Sequence, residues 1–199
     1  MKRIKAVLPL LVVMIIAGAS SAAQTVLTDV WKDKGHRGMV KKIAVFWMAQ
    51  APQNRLLAEN EFVRQLKERG IIAIPVYVVI PPDKFVERDA AVTMIRDLGV
   101  DAVLTLRVTD KRTVQSPISA PGPADRKRLS DYYTYVYDAP TWDASEPAYL
   151  ETNLFEVKTE RRIWTARSVT KVDVVDQKAL SDFIKLMIDR LASDGMIAQ

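Results

Sequence analysis

Apolar residues gather along this chain in three segments that predict strands. The segment "KIAVFWM" (42–48) is almost wholly apolar, which favours a strand covered on both faces. The segment "IIAIPVYVVI" (71–80) is apolar and β-branched, and Pro75 inside it indicates a sheet edge or a bulge because proline cannot donate to a neighbouring strand. The segment "VDAVLTLRVTD" (100–110) alternates with a period of two and predicts a central strand, with Arg107 facing away from its leucines.

Three further segments repeat their apolar residues at helical spacing. "NRLLAENEFVRQLKERG" (54–70) ends at Gly70, where a left-handed residue terminates a helix. "DAAVTMIRDLG" (89–99) predicts a second helix, and "DQKALSDFIKLMIDRLASDG" (176–195) predicts a long amphipathic one. Because the first two helices alternate with the three strands, we expect parallel strand pairs joined by right-handed crossovers.

The pattern changes after the third strand. Residues 111–130 carry three prolines and no periodicity, so they predict a long loop. "DYYTYVY" (131–137) is β-rich by composition, and "YLETNLFEVKTERRIWTARS" (149–168) predicts two strands joined by a tight turn. After an irregular segment over 24–42, the sequence predicts a single α/β domain over 43–199. Its mixed sheet is expected to run β-α-β-α-β, followed by an antiparallel meander and a C-terminal helix.

The chain begins with a short apolar segment. Basic residues precede an apolar run over 6–19, and small residues follow up to Ala23, which is the layout of a secretory signal peptide. We expect a signal peptide over 1–23, cleavage between Ala23 and Gln24, and an exported, periplasmic protein without stable transmembrane insertion after cleavage. The alternative is an uncleaved anchor, but the run is shorter than the ~20 residues of a membrane span and contains Pro9.

Composition removes several kinds of chemistry. The chain has no cysteine, so it carries no disulfide, no thiolate zinc site, no cysteine nucleophile and no thioether-linked lipid. Its formal net charge is +5, to which the first residues contribute. The basic clusters are scattered along the sequence: they are Lys41-Lys42, Arg126-Lys127-Arg128 and Arg161-Arg162. We interpret each cluster as a solvated turn and predict no nucleic-acid partner, since a nucleic-acid binder gathers its basic charge on one face.

Candidate catalytic groups are few. The one histidine, His36, stands in a basic loop between glycines with no evident orienting partner or nucleophile, so we expect an exposed loop residue. The sequence has no nucleophile elbow, phosphate-binding loop or dinucleotide fingerprint, and we predict no catalytic residue, no metal and no cofactor. A glycoside hydrolase needs two acids but no local motif, so its carboxylates keep one enzyme hypothesis open. Those carboxylates are Asp138, Asp143, Glu151 and Glu156.

The aromatic segment "DYYTYVYDAPTW" supplies the candidate contact surface. If 131–137 is a strand, Tyr133, Tyr135 and Tyr137 share one face, and Trp142 follows in the next loop. Tyrosine and tryptophan offer a large contact area with a polar tip and are enriched at interfaces. The alternative is a structural one, in which one face is core and the other is a half-exposed cross-strand ladder.

Several stretches together carry a resemblance. They are "KKIAVF", "NRLLAENEFVRQLKERG", "GVDAVLTLRV", "LETNLFEVKTERRIW" and "SDFIKLMIDRLASDGMI". The chain resembles a family of exported bacterial proteins of unknown function, many of them lipoproteins. That family is distantly similar in fold to the N-terminal domain of the Tol translocation protein, the curli secretion lipoprotein and the lipoprotein activator of penicillin-binding proteins. The chain departs from the family in lacking the lipid-bearing cysteine and in having Glu160 where the turn usually has glycine.

The resemblance implies an envelope binding module and supplies no catalytic residues. The expected function is therefore a non-enzymatic periplasmic module that binds an envelope protein or a cell-wall component. Two alternatives stay open at this point. One is an envelope hydrolase that uses loop carboxylates, and the other is a subunit of an envelope channel or scaffold that assembles through an exposed strand edge.

Overall fold

A computed structural model describes residues 25–48, 52–81, 86–118, 128–133, 147–170 and 177–199. Its strands are β1 Thr25–Lys32, β2 Lys42–Met48, β3 Ile72–Pro75, β4 Ala102–Thr109, β5 Ala148–Glu156 and β6 Arg162–Thr170. The helices in these ranges are α1 Pro52–Glu68, α2 Arg88–Asp97, α3 Lys111–Gln115, α4 Leu129–Tyr133 and α5 Gln177–Ser193, with a 3-10 turn at Val76–Val78.

The strands form one six-stranded sheet in the order β1-β6-β5-β4-β2-β3. β2 pairs in parallel with β3 and β4, whereas β4–β5, β5–β6 and β6–β1 are antiparallel. The predicted α/β class with a mixed sheet is therefore confirmed. Strands β2, β4 and β6 point the same way, so α1, α3 and α5, which follow them, begin at one end of the sheet. We name that end the carboxyl end, and the opposite one the amino end.

Helices cover the sheet on both faces. On the first face, α1 and α5 pack against apolar residues of the sheet, including Ala73 of β3 and, at the other edge, the partly buried Leu27 and Val30 of β1. The rings of Phe62 and Phe183 meet edge to face at 6.5 Å between centroids. On the second face, α2, α4 and the 3-10 turn enclose a smaller core around Phe46, Ile95 and Phe155. The predicted alternation in β4 is confirmed, since Leu104 and Leu106 lie in the first core and Val103 lies in the second.

The C-terminal end of α5 is fastened to the sheet by polar contacts. The fully buried Trp164 donates from its indole nitrogen to Asp194 at 2.7 Å, and Arg190 reaches the same carboxylate oxygen at 2.9 Å. The backbone N–H of Val40 donates to the carbonyl of Met196 at 2.8 Å. The acceptors lie just beyond the last helical residue, Ser193, and the bonds fix the end of α5 to β6 and to the segment before β2.

The N-terminal segment differs from its expectation. Residues 24–42 are predicted to be irregular, but Thr25–Lys32 form strand β1, which pairs with β6 over its whole length. Trp31 lies in this strand with the guanidinium of Arg162 at 5.3 Å from its ring centroid. The apolar residues of β1 come in two adjacent pairs, Val26-Leu27 and Val30-Trp31, and the register shift between Leu27 and Asp29 breaks the period of two that would identify a strand in the sequence.

Three more expectations are corrected. The strand expected over 71–80 ends at Pro75, because the missing N–H stops the ladder there and the chain turns into the 3-10 helix. The loop expected over 111–130 begins with α3, which Asp110 caps by accepting from the N–H of Thr113 at 2.8 Å. The strand expected over 131–137 is wrong as far as Tyr133, which ends α4, and its remainder lies outside the described residues.

Both edges of the sheet resist the addition of another strand. At one edge, β3 has four residues and ends in proline. At the other edge, β1 has an irregular register between Leu27 and Asp29, and the Asp29 carboxylate accepts from the N–H of Val30 at 2.8 Å and from the N–H of Ile118 at 2.6 Å. Short strands, proline and bulges are the devices by which edges are kept from pairing with other chains.

The turn between β5 and β6 contains a backbone conformation that favours glycine. Among the residues other than glycine in the described ranges, Glu160 is the one with a positive φ, at 55°. Its side chain pairs with Arg96 at 2.9 Å, and its carbonyl accepts from the N–H of Leu129 at 3.3 Å. The left-handed conformation costs an L-residue about 1 kcal/mol or more, and the contacts to α2 and α4 hold it in place.

This turn gives a stability prediction. Glu160→Gly and Glu160→Ala both remove the ion pair with Arg96, but only glycine adopts positive φ without a steric penalty. We expect the glycine variant to be about 1 kcal/mol more stable than the alanine variant in urea unfolding. Equal stability of the two variants would show that the turn does not hold residue 160 in this conformation in solution.

Candidate functional site

The candidate aromatic surface lies mostly outside the described residues. Tyr133 is the last residue of α4, while Tyr135, Tyr137 and Trp142 belong to the part of the chain that the structure does not describe. The loop carboxylates Asp138 and Asp143 lie outside it as well. The contact surface therefore stays a prediction, and what the structure defines is the sheet face from which this segment leaves.

A buried ionic cluster occupies that second face, and Glu151 is at its centre. Glu151 is 1% exposed, and its two carboxylate oxygens accept from Arg107 and from Arg167, each at 3.0 Å. Asn153 donates to the same carboxylate at 3.3 Å and accepts from the hydroxyl of Thr165 at 2.8 Å. Because the three ionic residues lie opposite one another on adjacent strands β4, β5 and β6, strand register alone brings them together.

The two arginines keep Glu151 ionised. Burial of the carboxylate works to raise its pKa, but the guanidinium groups of Arg107 and Arg167 outweigh burial and lower the pKa of Glu151 to about 2. A carboxylate with this pKa does not carry a proton near neutral pH, and both of its oxygens are engaged. Glu151 therefore cannot serve as a general acid, and we assign it an electrostatic and structural role.

The cluster also attaches the start of the Pro-rich segment to the sheet. Arg167 donates to the carbonyl of Ser116, just after α3, at 2.7 Å. The Thr28 hydroxyl lies 3.2 Å from the carbonyl of Val114 in the same helix. With the bond from Ile118 to Asp29, these contacts hold α3 and the residues after it on the second face, at the carboxyl end of the sheet. Ligands of open α/β sheets commonly bind at the carboxyl ends of the strands, where one connection runs to one face of the sheet and the next runs to the other face.

The arginines of this cluster are not found by sequence reasoning. Arg107 interrupts the apolar pattern of the predicted central strand, and Glu151 and Arg167 stand in predicted strands that mix apolar and polar residues. A charge inside a strand buried on both faces requires a partner of opposite sign. The sequence therefore indicates that Arg107 has an acidic partner. It does not identify Glu151 as that partner, because the order of the strands is unknown at that stage.

A second buried carboxylate, Glu59, joins α1 to the parallel strands. It accepts from Arg55 at 2.8 Å, from the N–H of Trp47 at 3.1 Å and from the N–H of Tyr77 at 2.8 Å. Burial raises the pKa of Glu59, although Arg55 works against this shift. Arg55 is itself 2% exposed and lies over the ring of Phe46 at 4.9 Å. All these contacts hold α1 on the sheet, and they leave Glu59 no access to a substrate.

His36 is not the exposed residue that its loop suggests. Its side chain is 12% exposed, and its Nδ1 lies 3.9 Å from the Glu156 carboxylate. It lines a pocket of about 230 Å³ at the amino end of the sheet, together with Asp33, Thr159 and Arg161. The β1–β2 connection and the β5–β6 turn build this pocket from distant parts of the sequence, which is why the sequence gives no sign of it.

The chemistry available in this pocket is limited. The Thr159 hydroxyl donates to Glu156 at 2.6 Å, and Arg161 lies 3.4 Å from Asp33, so the carboxylates are already engaged. Within the described ranges no group of three histidine or carboxylate side chains is placed to hold a metal ion. The volume is also below the ~300 Å³ at which small-molecule sites usually begin.

The two hairpin carboxylates do not form a hydrolytic pair. Glu151 and Glu156 lie five residues apart on β5. A strand rises about 3.4 Å per residue, so their backbones are about 17 Å apart. Glycoside hydrolases hold their two carboxyl groups about 5 to 9.5 Å apart. This separation excludes the pair Glu151 and Glu156 from such a role.

Comparison with known proteins yields likeness of fold only. No protein-family model and no curated protein matches the chain. Among solved structures, the chain is similar to a PelC dodecamer from Paraburkholderia phytofirmans, with 14% identity and a TM-score of 0.43 over 87% of this chain and 99% of that one. A variant of the same PelC with one leucine-to-methionine substitution gives 15% identity and the same TM-score, over 88% and 99%. At these values the likeness carries no argument about function.

No helix within the described ranges is long and apolar enough to cross a membrane.

The ionic cluster generates a prediction about stability. Glu151→Gln removes the negative charge that Arg107 and Arg167 share, while both guanidinium groups stay largely out of water, with side chains 11% and 13% exposed. We expect a loss of about 3 to 5 kcal/mol in the free energy of unfolding, measured by urea titration at pH 7. The matched control is Glu68→Gln, because Glu68 pairs with Arg64 on the surface of α1 and is 61% exposed. The control is expected to cost about 0.5 kcal/mol or less, and equal losses would contradict the assignment.

The same carboxylate predicts a dependence on pH. The pKa of Glu151 is lowered in the folded chain from 4.5 to about 2, so its stabilising contribution is complete above pH 4.5 and is lost as the pH falls through 2. We expect the stability difference between the wild type and Glu151→Gln to shrink by about 3 kcal/mol between pH 5 and pH 2. A difference that stays constant over this range would show that Glu151 is not held ionised by the arginines.

Proposed function

We propose that this chain is a non-enzymatic binding or assembly module of the bacterial cell envelope, which recognises an envelope protein or a cell-wall component. The observation that supports the proposal is that the two buried glutamates, Glu151 and Glu59, bind to other groups of the protein. Glu151 and Glu59 both face inward, where an acid or base could be positioned, and both are fully engaged by arginines and N–H groups. Such groups stabilise a rigid support and take no part in proton transfer.

The arrangement of short helices supports the location of the contact surface. α3 is held beside Arg167 and Asp29, and α4 packs against α2, so both helices lie on the second face. The aromatic segment leaves α4 at Tyr133 and re-enters the sheet at Ala148, opposite the end of β6. A contact loop whose ends are fixed on a rigid sheet loses less entropy on binding than a free loop.

The other functions considered from the sequence receive less support. The hydrolase hypothesis would need a carboxylate pair at about 5 to 9.5 Å, and among its candidates Glu151 and Glu156 are too far apart. Its loop candidates, Asp138 and Asp143, lie outside the described residues, so for them the hypothesis stays a prediction. The channel or scaffold hypothesis expects assembly through a strand edge, but β3 ends in Pro75 and β1 is blocked at Asp29. A binding module requires neither feature.

The contact surface is tested by substitution of its aromatic residues. We expect a variant in which Tyr133, Tyr135, Tyr137 and Trp142 are all changed to Ala to lose most partner crosslinks in living cells, with an unchanged urea midpoint. The control is Leu56→Ala with Leu57→Ala, which removes apolar area that is 36% and 43% exposed on α1, away from the second face. Crosslinks that survive the aromatic change, or that are lost equally in the control, would exclude this surface.

A further inference from the structure

Basic clusters that are scattered along the sequence meet at the amino end of the sheet. Lys41 and Lys42 begin β2 there, and Lys158 lies in the turn between β5 and β6. Arg128 is brought beside Arg161 by an isolated bridge between the two backbones. The interpretation of each cluster as a separate solvated turn is thus incomplete, because folding gathers them on one surface.

Asp101 organises this end. Its carboxylate accepts from the backbone N–H of Lys41 at 3.0 Å and from that of Lys42 at 2.9 Å, and its carbonyl accepts from the N–H of Val157 at 2.9 Å. The lysines contribute only their backbone N–H groups to these bonds, and both lysine side chains are exposed. Lys158, which follows Val157, is placed beside them.

The cations at this end outnumber the carboxylates that could neutralise them. Its exposed, unpaired lysines in the described ranges are Lys34, Lys41, Lys42, Lys67 and Lys158, none of which has a carboxylate within 4.0 Å. We name these five lysines the basic end. Of the neighbouring acids, Asp33 is paired with Arg161 and Glu160 with Arg96, whereas Asp101 accepts from neutral N–H groups and keeps its charge. Asp97 is an exposed carboxylate at this end without such a partner.

Exposed apolar side chains lie among these lysines. Met39, two residues before Lys41, is 58% exposed, and Ile72, which pairs with Lys42 across β2 and β3, is 53% exposed. Large apolar side chains surrounded by lysines are the combination that adsorbs to a bilayer. The lysines interact with anionic headgroups, and the apolar side chains enter the interface.

We infer that the basic end docks on the surface of a membrane that contains anionic phospholipid. Lysine suits this role because its ammonium is a point charge on a flexible stem, which adapts to headgroups without fixed geometry. Single-stranded nucleic acids are bound with stacked aromatic side chains, and the exposed large residues here are aliphatic or thioether. The inference goes beyond the proposed function, since a lipid surface is a second kind of partner and none of the five lysines belongs to the aromatic segment.

The experiment measures co-sedimentation of the exported protein with vesicles. One set of vesicles contains phosphatidylglycerol and phosphatidylcholine, and the other contains phosphatidylcholine alone. We expect binding to the anionic vesicles that weakens with added salt, and little binding to the neutral ones. Each lysine near an anionic surface contributes about fivefold in affinity, so Lys41→Gln with Lys42→Gln should weaken binding about 25-fold.

Two further variants test whether binding depends on the position of the charge and on the exposed apolar side chain. Lys111→Gln with Arg112→Gln removes the same charge at the carboxyl end and should leave vesicle binding within about twofold, since screening separates the two ends. Met39→Ser should weaken binding to vesicles severalfold while leaving retention on heparin unchanged.

Three results would overturn the inference. One is equal binding to neutral vesicles, and another is equal loss in the two charge variants. The third is a pair of results: Met39→Ser leaves vesicle binding unchanged, and retention of the protein on heparin depends on Lys41 and Lys42. The surface would then be one for a soluble polyanion. The four-residue aromatic variant is expected to bind vesicles normally, so failure of the proposed contact surface and failure of this inference are distinguishable.

Discussion

The sheet depends on one buried carboxylate held between two arginines. β4, β5 and β6 are joined by backbone bonds, but those bonds would form equally well with the strands shifted along one another. The contacts of Glu151 with Arg107 and Arg167 require the register that is observed, because a shift of one residue would turn the charges to the opposite, apolar face. An ion pair of this kind adds less to stability than its Coulomb attraction suggests, since all three charges lose water. Its larger effect is that misaligned sheets would leave charges unpaired.

The α/β half of the fold follows from the sequence because its elements are long and periodic. Local spacing of apolar residues identifies strand β4 and the two helices that Gly70 and Gly99 follow. Both glycines have positive φ, and such a helix-ending glycine can be recognised from a short stretch of the sequence. β1 and α4 are not predictable in this way. β1 is an edge strand whose residues are at most partly buried and whose period of two is broken by a bulge, so its pattern resembles a polar loop. α4 has residues with high β propensity at its end, and such propensity does not decide the structure of a five-residue segment.

The candidate sites also divide into features that the local sequence displays and contacts that depend on the tertiary structure. The sequence displays the tyrosines, the histidine and the basic clusters as separate features, each of which has an ordinary explanation. Only the order of the strands shows that Arg107 faces Arg167 across Glu151, that His36 approaches Glu156, and that Asp101 bonds to both Lys42 and Val157. Contacts between residues far apart in the chain depend on topology, and topology is not encoded in any one segment.

The position of β1 has a consequence for the order in which the chain can fold. Thr25, at the start of this strand, lies opposite Thr170, and the two hydroxyl groups are 2.5 Å apart. The strand nearest the N-terminus therefore obtains its partner only after almost the whole chain is present, and such long closures form late. In a polypeptide that crosses a membrane from its N-terminus, β1 would emerge first and wait unpaired while the rest followed. Its bulge and its charged residues Asp29 and Lys32 would keep it from associating with other chains during that interval.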